Sequence, residues 1–205
     1  MAAAAATFDD YRAEAARRFA IIEGSVDDAE QRFLADFVRR TGVRRALEVG
    51  FNGGLSAAVM LAAAPELRLV SFDLGQHGCV APAKALVDEL FPGRHALVLG
   101  DSRATLPAYR AGAWAADAGA EPFDMAFIDG GHFEPVPRLD LANALPMLRP
   151  GAWVVVDDYC QAYGAHGVIQ AYDDAVAAGE LATAEGPHEG GGGRAWIVAR
   201  KLPLA

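Results

Sequence analysis

The side chains best suited to chemistry fall into five short groups: Glu48, Gly50, Asn52, Gly54 and Ser56; Asp73; Asp101, Ser102 and Arg103; Asp129 and His132; and Asp157 with Asp158. The three carboxylates Asp129, Asp157 and Asp158 offer hard oxygen donors, the kind that Mg²⁺, Ca²⁺ or Mn²⁺ prefers. The same residues read equally well without a metal, with Asp157 or Asp158 capping a turn and Asp129 holding a ligand ammonium or a water. His132 titrates near neutrality, at about 6.5 when unperturbed, so it is the candidate general base. Asp73 can accept hydrogen bonds from the two hydroxyls of a ribose. The glycines of GluValGlyPheAsnGlyGly (48–54) permit a sharp turn and a close backbone approach to a ligand. A dinucleotide fingerprint would need glycine at 50, 52 and 55, where the chain has Gly50, Asn52 and Leu55, so a pyrophosphate site is disfavoured.

These groups share one property of position: each follows a short apolar run. The runs are 45–49, 67–72, 95–99, 123–128 and 152–156, separated by helix-length stretches at 54–64, 81–91, 103–119 and 137–148. Alternation of this kind predicts five parallel strands with helical crossovers. In an open parallel sheet, ligands bind beyond the carboxyl ends of the strands, where strand order reverses. Strands four and five, as neighbours, would bring the three carboxylates together. Ahead of the sheet, helices are predicted over 8–22 and 27–41, the second capped by Ser25 and stopped at Gly42. After it come a helix over 167–178 and two strands at 181–185 and 195–201. Those strands form an antiparallel hairpin whose glycine-rich loop, 186–193, precedes no helix and is given no catalytic role.

The 205 residues are 53% hydrophobic and 22% charged, enough for one ordinary domain, with N-terminal helices in 1–42 and a core in 43–205. The net charge of −9 lies wholly after residue 45. Such a surface repels a phosphate backbone, which argues against nucleic acid and anionic membranes and favours a small-molecule partner. Cys79 and Cys160 stand apart with no metal or disulfide spacing, and no signal-peptide or membrane-span pattern is visible, so a reduced cytoplasmic setting is expected. The first helices could pair two copies into a homodimer. Among the aromatics, Trp153 is expected in the core, while Tyr159, Tyr163 and the segment 159–167 are expected near the substrate.

Four ordered motifs carry a family resemblance: LeuGluValGlyPheAsnGlyGlyLeuSer (47–56), GlyAspSerArgAlaThrLeuPro (100–107), PheIleAspGlyGlyHis (127–132) and LeuArgProGlyAlaTrpValValValAspAspTyr (148–159). With them the chain resembles the class I S-adenosylmethionine-dependent methyltransferases, in particular the catechol and caffeoyl-CoA O-methyltransferases and their small bacterial relatives. The resemblance implies an α/β, Rossmann-like doubly wound fold: a seven-stranded, mostly parallel sheet with a C-terminal antiparallel hairpin and helices on both faces. It implies Glu48, Gly50, Asn52 and Gly54 around the methionine part of the cofactor, Ser56 at its carboxylate and Asp73 on the ribose. Asp101, Ser102 and Arg103 would lie near the adenine, with Asp129 also on the cofactor. The family's metal acids map onto Asp129, Asp157 and Asp158, and the lysine base of the catechol enzymes maps onto His132. Many members of that type have Asp-Asn where this chain has Asp157 and Asp158. The implied activity is methylation of a small-molecule hydroxyl with S-adenosylmethionine and a divalent cation such as Mg²⁺. Alternatives are a metal-independent N- or carboxyl-methyltransferase, a non-catalytic S-adenosylmethionine-binding protein, a NAD-dependent oxidoreductase, and a relative doing hydroxylation-type chemistry, since such families share DGxH and DDY patterns.

Overall fold

The computed structural model describes residues 5–19, 26–112, 121–161 and 165–203. Two helices, α1 (Phe8–Arg18) and α2 (Asp28–Thr41), lead into β1 (Arg45–Val49). There follow α3 (Leu55–Ala63), β2 (Arg68–Asp73), α4 (Val80–Leu90), β3 (His95–Leu99), α5 (Ser102–Arg110), β4 (Phe123–Ile128) and α6 (Val136–Ala144). The chain then forms β5 (Leu148–Val156), α7 (His166–Ala177), β6 (Leu181–Glu189) and β7 (Ala195–Lys201).

The strands make one sheet in the order β3-β2-β1-β4-β5-β7-β6. β1 to β5 are parallel, and β7 runs antiparallel between β5 and β6. This is the expected Rossmann-like, mostly parallel sheet with a C-terminal hairpin. Because successive strand residues face opposite sides, each strand feeds two cores. Ala46 and Phe127 belong to the core that includes Leu34, Phe37, Met60 and Phe91, and Leu47, Phe72 and Ile128 to that of Leu141, Tyr172 and Ile197. Helices therefore cover both faces, and strand order reverses between β1 and β4.

Several boundaries differ from the sequence reading. Asp27, not Ser25, caps α2, its carboxylate accepting from the amides of Ala29 and Glu30; Ser25 lies outside the described residues. Gly42 ends α2 with φ +63°, as expected. α1 stops at Arg18 and α5 at Arg110, while 20–25 and 113–120 lie outside the described residues. β5 begins at Leu148 because the LeuArgProGly segment already pairs with Phe123. β6 continues through the expected loop to Glu189, its register shifting between Glu185 and His188.

Cys79 and Cys160 are buried free thiols. Trp153 is partly buried, with Phe37 against its ring edge-to-face and the Arg200 guanidinium over it. No helix of the described residues is long and apolar enough to cross a membrane.

Candidate functional site

The glycine loop after β1 is built by contacts that exclude a side chain. Gly50 has φ +94°, and a Cβ there would lie 1.9 Å from the carbonyl oxygen of Asp129. Gly50 N–H donates to Phe72 O and Asp129 N–H to Val49 O, so the ends of β2, β1 and β4 are laced together at the reversal point. A Cβ on Gly54, the N-cap of α3, would meet the Tyr11 hydroxyl at 2.6 Å. That hydroxyl, carried on α1, donates to Gly53 O at 2.6 Å, so the first helix clamps the loop from above.

Asp73 does more than wait for a ribose. Its Oδ2 accepts from the amides of Phe51 (3.0 Å) and Asn52 (2.9 Å), and its Oδ1 from that of Gly75 (2.7 Å). Oδ1 keeps a lone pair for a ligand, whereas both lone pairs of Oδ2 are taken by the backbone bonds that fix the loop. Asn52 takes φ +46°, and with Asp158 (φ +53°) it is one of two non-glycine residues at positive φ among the described residues. Both stand at the site, where unusual backbone is held by surrounding contacts.

Glu48 is wholly buried, on the face of β1 turned toward α3. Ser56 donates to its Oε1 at 2.5 Å and Ser71 donates to its Oε2. Ser71 Oγ lies 2.9 Å from His95 Nε2, and the His95 ring stacks on Phe51. A polar relay thus crosses β1, β2 and β3 beneath the glycine loop. Burial pushes the Glu48 carboxyl up to about 7 and the His95 imidazole down to about 3, favouring the neutral form of each.

A cavity of about 380 Å³ opens over the strand ends. It gathers Gly50, Asn52, Ser56, Asp73, Asp101, Ser102, Arg103, Asp129 and His132 from the sequence-derived set, and leaves Glu48, Gly54, Asp157 and Asp158 out of its wall. Asp101 caps α5 through the Arg103 amide and pairs with the Arg103 guanidinium, which holds its carboxyl below the ordinary range. His77 is at the cavity rim.

At the other end of the cavity lies an acid cluster. His132 Nε2 is 2.6 Å from Asp158 Oδ2. Hydrogen bonding to Asp158 raises the His132 pKa, against a partial burial that lowers it. Donor atoms of Asp129, His132 and Asp158 all lie within 4.8 Å of one another. Asp157, expected beside them, turns instead to a residue the sequence reading missed: it shares a hydrogen bond with Glu30 of α2. Burial, then repulsion from Asp157, lifts Glu30 to about 10; burial, then repulsion from Asp158, lifts Asp157 to about 6. Asp129 is raised well above the ordinary carboxylate range, first by burial and then by Asp157 and Glu30.

Glu30 carried a signal, because it occupies the stripe of Leu34, Phe37 and Val38, where an acid is out of place. A second missed residue is Arg194, whose charge favours ionisation of Asp157 and opposes that of His132. It follows the glycine run that was given no role. That run is tied down: Gly191 N–H donates to Asp27 Oδ2 at 2.6 Å, bringing the hairpin tip to the start of α2.

Tyr159 points away from the cluster, its hydroxyl donating to Asp173 of α7. Tyr163 lies outside the described residues, as does 162–164 of the segment expected at the substrate. His188 stacks on Trp196 and Phe33, remote from this chemistry.

A family model described as a methyltransferase domain matches residues 47–159. A search of curated proteins finds no match. Among solved structures, the chain is similar to the O-methyltransferase TomG from Streptomyces achromogenes, involved in tomaymycin synthesis and solved in complex with SAM. The two are 23% identical, with 96% of this chain and 89% of that one covered and a TM-score of 0.74. The O-methyltransferase from Bacillus cereus, in complex with SAH, is 18% identical over 96% and 90% of the two chains, with a TM-score of 0.73. SAH-bound PaMTH1 from Podospora anserina is 15% identical over 96% and 88%, with a TM-score of 0.71. At these identities the likeness is one of fold.

Proposed function

As the chain belongs to the methyltransferase-domain family, we propose that it transfers a methyl group from S-adenosylmethionine to a hydroxyl of a small molecule, assisted by a divalent cation. One observation carries this reading: a single cavity connects the Gly50–Asp73 cradle to His132 and Asp129. Its size is within the range of small-ligand pockets. The fold neighbours solved with SAM or SAH support the donor. S-adenosylmethionine, when bound, supplies a methyl on a sulfonium that is already a good leaving group.

The chain's own part is alignment and proton handling. Asp73, preset by three amides, would accept a ribose hydroxyl at Oδ1, with Asp101, Ser102 and Arg103 beside the base. The Ser56 proton is directed at Glu48, so Ser56 would present lone pairs toward the methionine end. Alignment of acceptor and methyl supplies much of the acceleration. With Nε2–H engaged by Asp158, the Nδ1 atom of His132 would take the acceptor's proton, and the Asp158 charge stabilises the imidazolium so formed.

The residues fit a divalent cation. Glu30 Oε1 and Asp157 Oδ1 are buried without a hydrogen-bond partner, beside the hard donors of Asp129 and Asp158. Asp129, Asp157 and Asp158 would hold the ion, which lowers the pKa of a bound hydroxyl. The close approach of His132 to Asp129 and Asp158 favours a second reading, in which His132 is itself a ligand.

Calorimetric titration with S-adenosylmethionine, with Mg²⁺ or with EDTA, tests the whole, followed by transfer of a labelled methyl to a panel of phenols and catechols. Binding and Mg²⁺-dependent transfer are expected. No heat of binding under any condition overturns the reading, and equal turnover after chelation removes the cation from it. The reading takes the protein as a cytoplasmic domain acting on a small molecule, not on nucleic acid or a membrane, with pairing of two copies through the first helices as its quaternary form.

A further inference from the structure

Glu30 is 1% exposed, yet it occupies a helix position where an aliphatic side chain would pack as well. Burying a carboxyl without a compensating charge costs free energy that an apolar residue would not. The strongest charges it meets are those of Asp157, Asp27 and Asp158, all acidic. One of its oxygens is engaged with Asp157; the other, Oε1, is buried without a partner, as is Asp157 Oδ1. Two adjoining carboxyls, each more than nine-tenths buried and each with an orphaned oxygen, border the Asp129, His132 and Asp158 donors. Arg194 brings one positive charge to bear on Asp157, but it is not among the charges acting on Glu30, and a hard divalent cation offers the several coordination positions that a single side chain does not.

Resting on the cation part of the proposed function, we propose that Glu30 is a fourth carboxylate of the divalent-cation site, so that the ion fastens the N-terminal helix α2 to the carboxyl ends of β4 and β5. The three core acids sit on the sheet, whereas Glu30 arrives from an element that precedes it. α2 is also bound at its start to the hairpin tip through Asp27 and Gly191, and it packs on α3 behind the glycine loop. A cation shared between Glu30 and Asp157 would therefore hold α2 against the strand ends more firmly than the carboxyl pair alone.

The test uses Mn²⁺ on the full-length protein with no donor or acceptor present. Calorimetry gives the affinity of wild type, Glu30→Gln and Asp28→Asn; Asp28 is an exposed acid two residues away on the same helix that serves as a control for general charge. Hydrogen exchange of α2 amides is followed with and without Mn²⁺. Gln keeps the volume and hydrogen-bonding capacity of a protonated Glu, and circular dichroism with a melting curve in EDTA confirms that each variant is folded. Wild type and Asp28→Asn are expected to bind alike, Glu30→Gln at least about tenfold more weakly, and Mn²⁺ should slow exchange in the first two turns of α2 only when Glu30 is present. Equal affinity in Glu30→Gln, or α2 exchange indifferent to Mn²⁺ in wild type, overturns this inference and leaves the core cation site standing. Failure of wild type to bind Mn²⁺ overturns both.

Discussion

Asp73 and His132 stand at opposite ends of one cavity, and their variants should separate binding from turnover. Asp73→Ala removes three backbone hydrogen bonds along with the ribose acceptor, so it should weaken S-adenosylmethionine binding by about 100-fold, measured by calorimetry. His132→Ala should leave that affinity within a factor of about three while lowering kcat by about 10² to 10⁴. Loss of Mn²⁺ binding in the same variant would instead identify His132 as a ligand, the role its approach to Asp129 and Asp158 allows. Both residues were legible from sequence because the carboxyl end of a parallel strand, where Asp73 stands, and the loop beyond it, which carries His132, border the ligand crevice. Glu30 and Arg194 were not, since their directions depend on how a helix and a hairpin dock from outside the motif. Glu48 shows the converse: motif position assigned it to the cofactor, whereas two serines occupy its oxygens inside the core.

Among the elements, the strand and helix series was readable because apolar runs alternate with amphipathic stretches. Their ends were less so, since pairing partners set them: Leu148 joins β5 through Phe123, and Asp27 replaces Ser25 as a cap. The contact of α1 with the glycine loop, invisible to periodicity, makes a stability prediction. Tyr11→Phe leaves the buried Gly53 carbonyl without its donor and should cost about 1 to 2 kcal/mol in urea unfolding. Gly50→Ala should do far more harm, because a methyl 1.9 Å from the Asp129 carbonyl forces β1 and β4 apart in a backbone region that Ala resists. A fall of about 3 kcal/mol or more, together with loss of S-adenosylmethionine binding, is the expected result.

For the molecule as a whole, the sequence gives the net charge but conceals which acids are buried. Glu30, Glu48, Asp129 and Asp157 all have raised pKa values in the folded chain, so above about pH 4 the native state holds protons that the unfolded state has released. His95, whose lowered pKa makes its own contribution rise with pH up to about 6.5, is outnumbered by these acids, which make stability fall as pH rises through neutrality. His132, also raised, acts in the same direction, its contribution complete below its unfolded value of about 6.5 and lost as pH passes above the folded one. The carboxyls held low, such as Asp27 and Asp124, lose their contribution only in stronger acid. In EDTA the melting temperature should therefore be higher at pH 5.5 than at pH 7.5. Glu48→Gln should flatten that difference by removing one group worth at most about 3 kcal/mol.

The backbone contact between Gly50 and Asp129 has a further consequence, for descent. It joins the floor of the donor cradle to the first residue of the acid cluster with no room for a methyl group between them, so neither loop can drift without the other. The Phe133 side chain, beside His132, is by contrast 67% exposed. Lineages diverging from this chain would inherit the floor nearly unaltered and spend their substitutions on the rim, acquiring new acceptors around an unchanged donor.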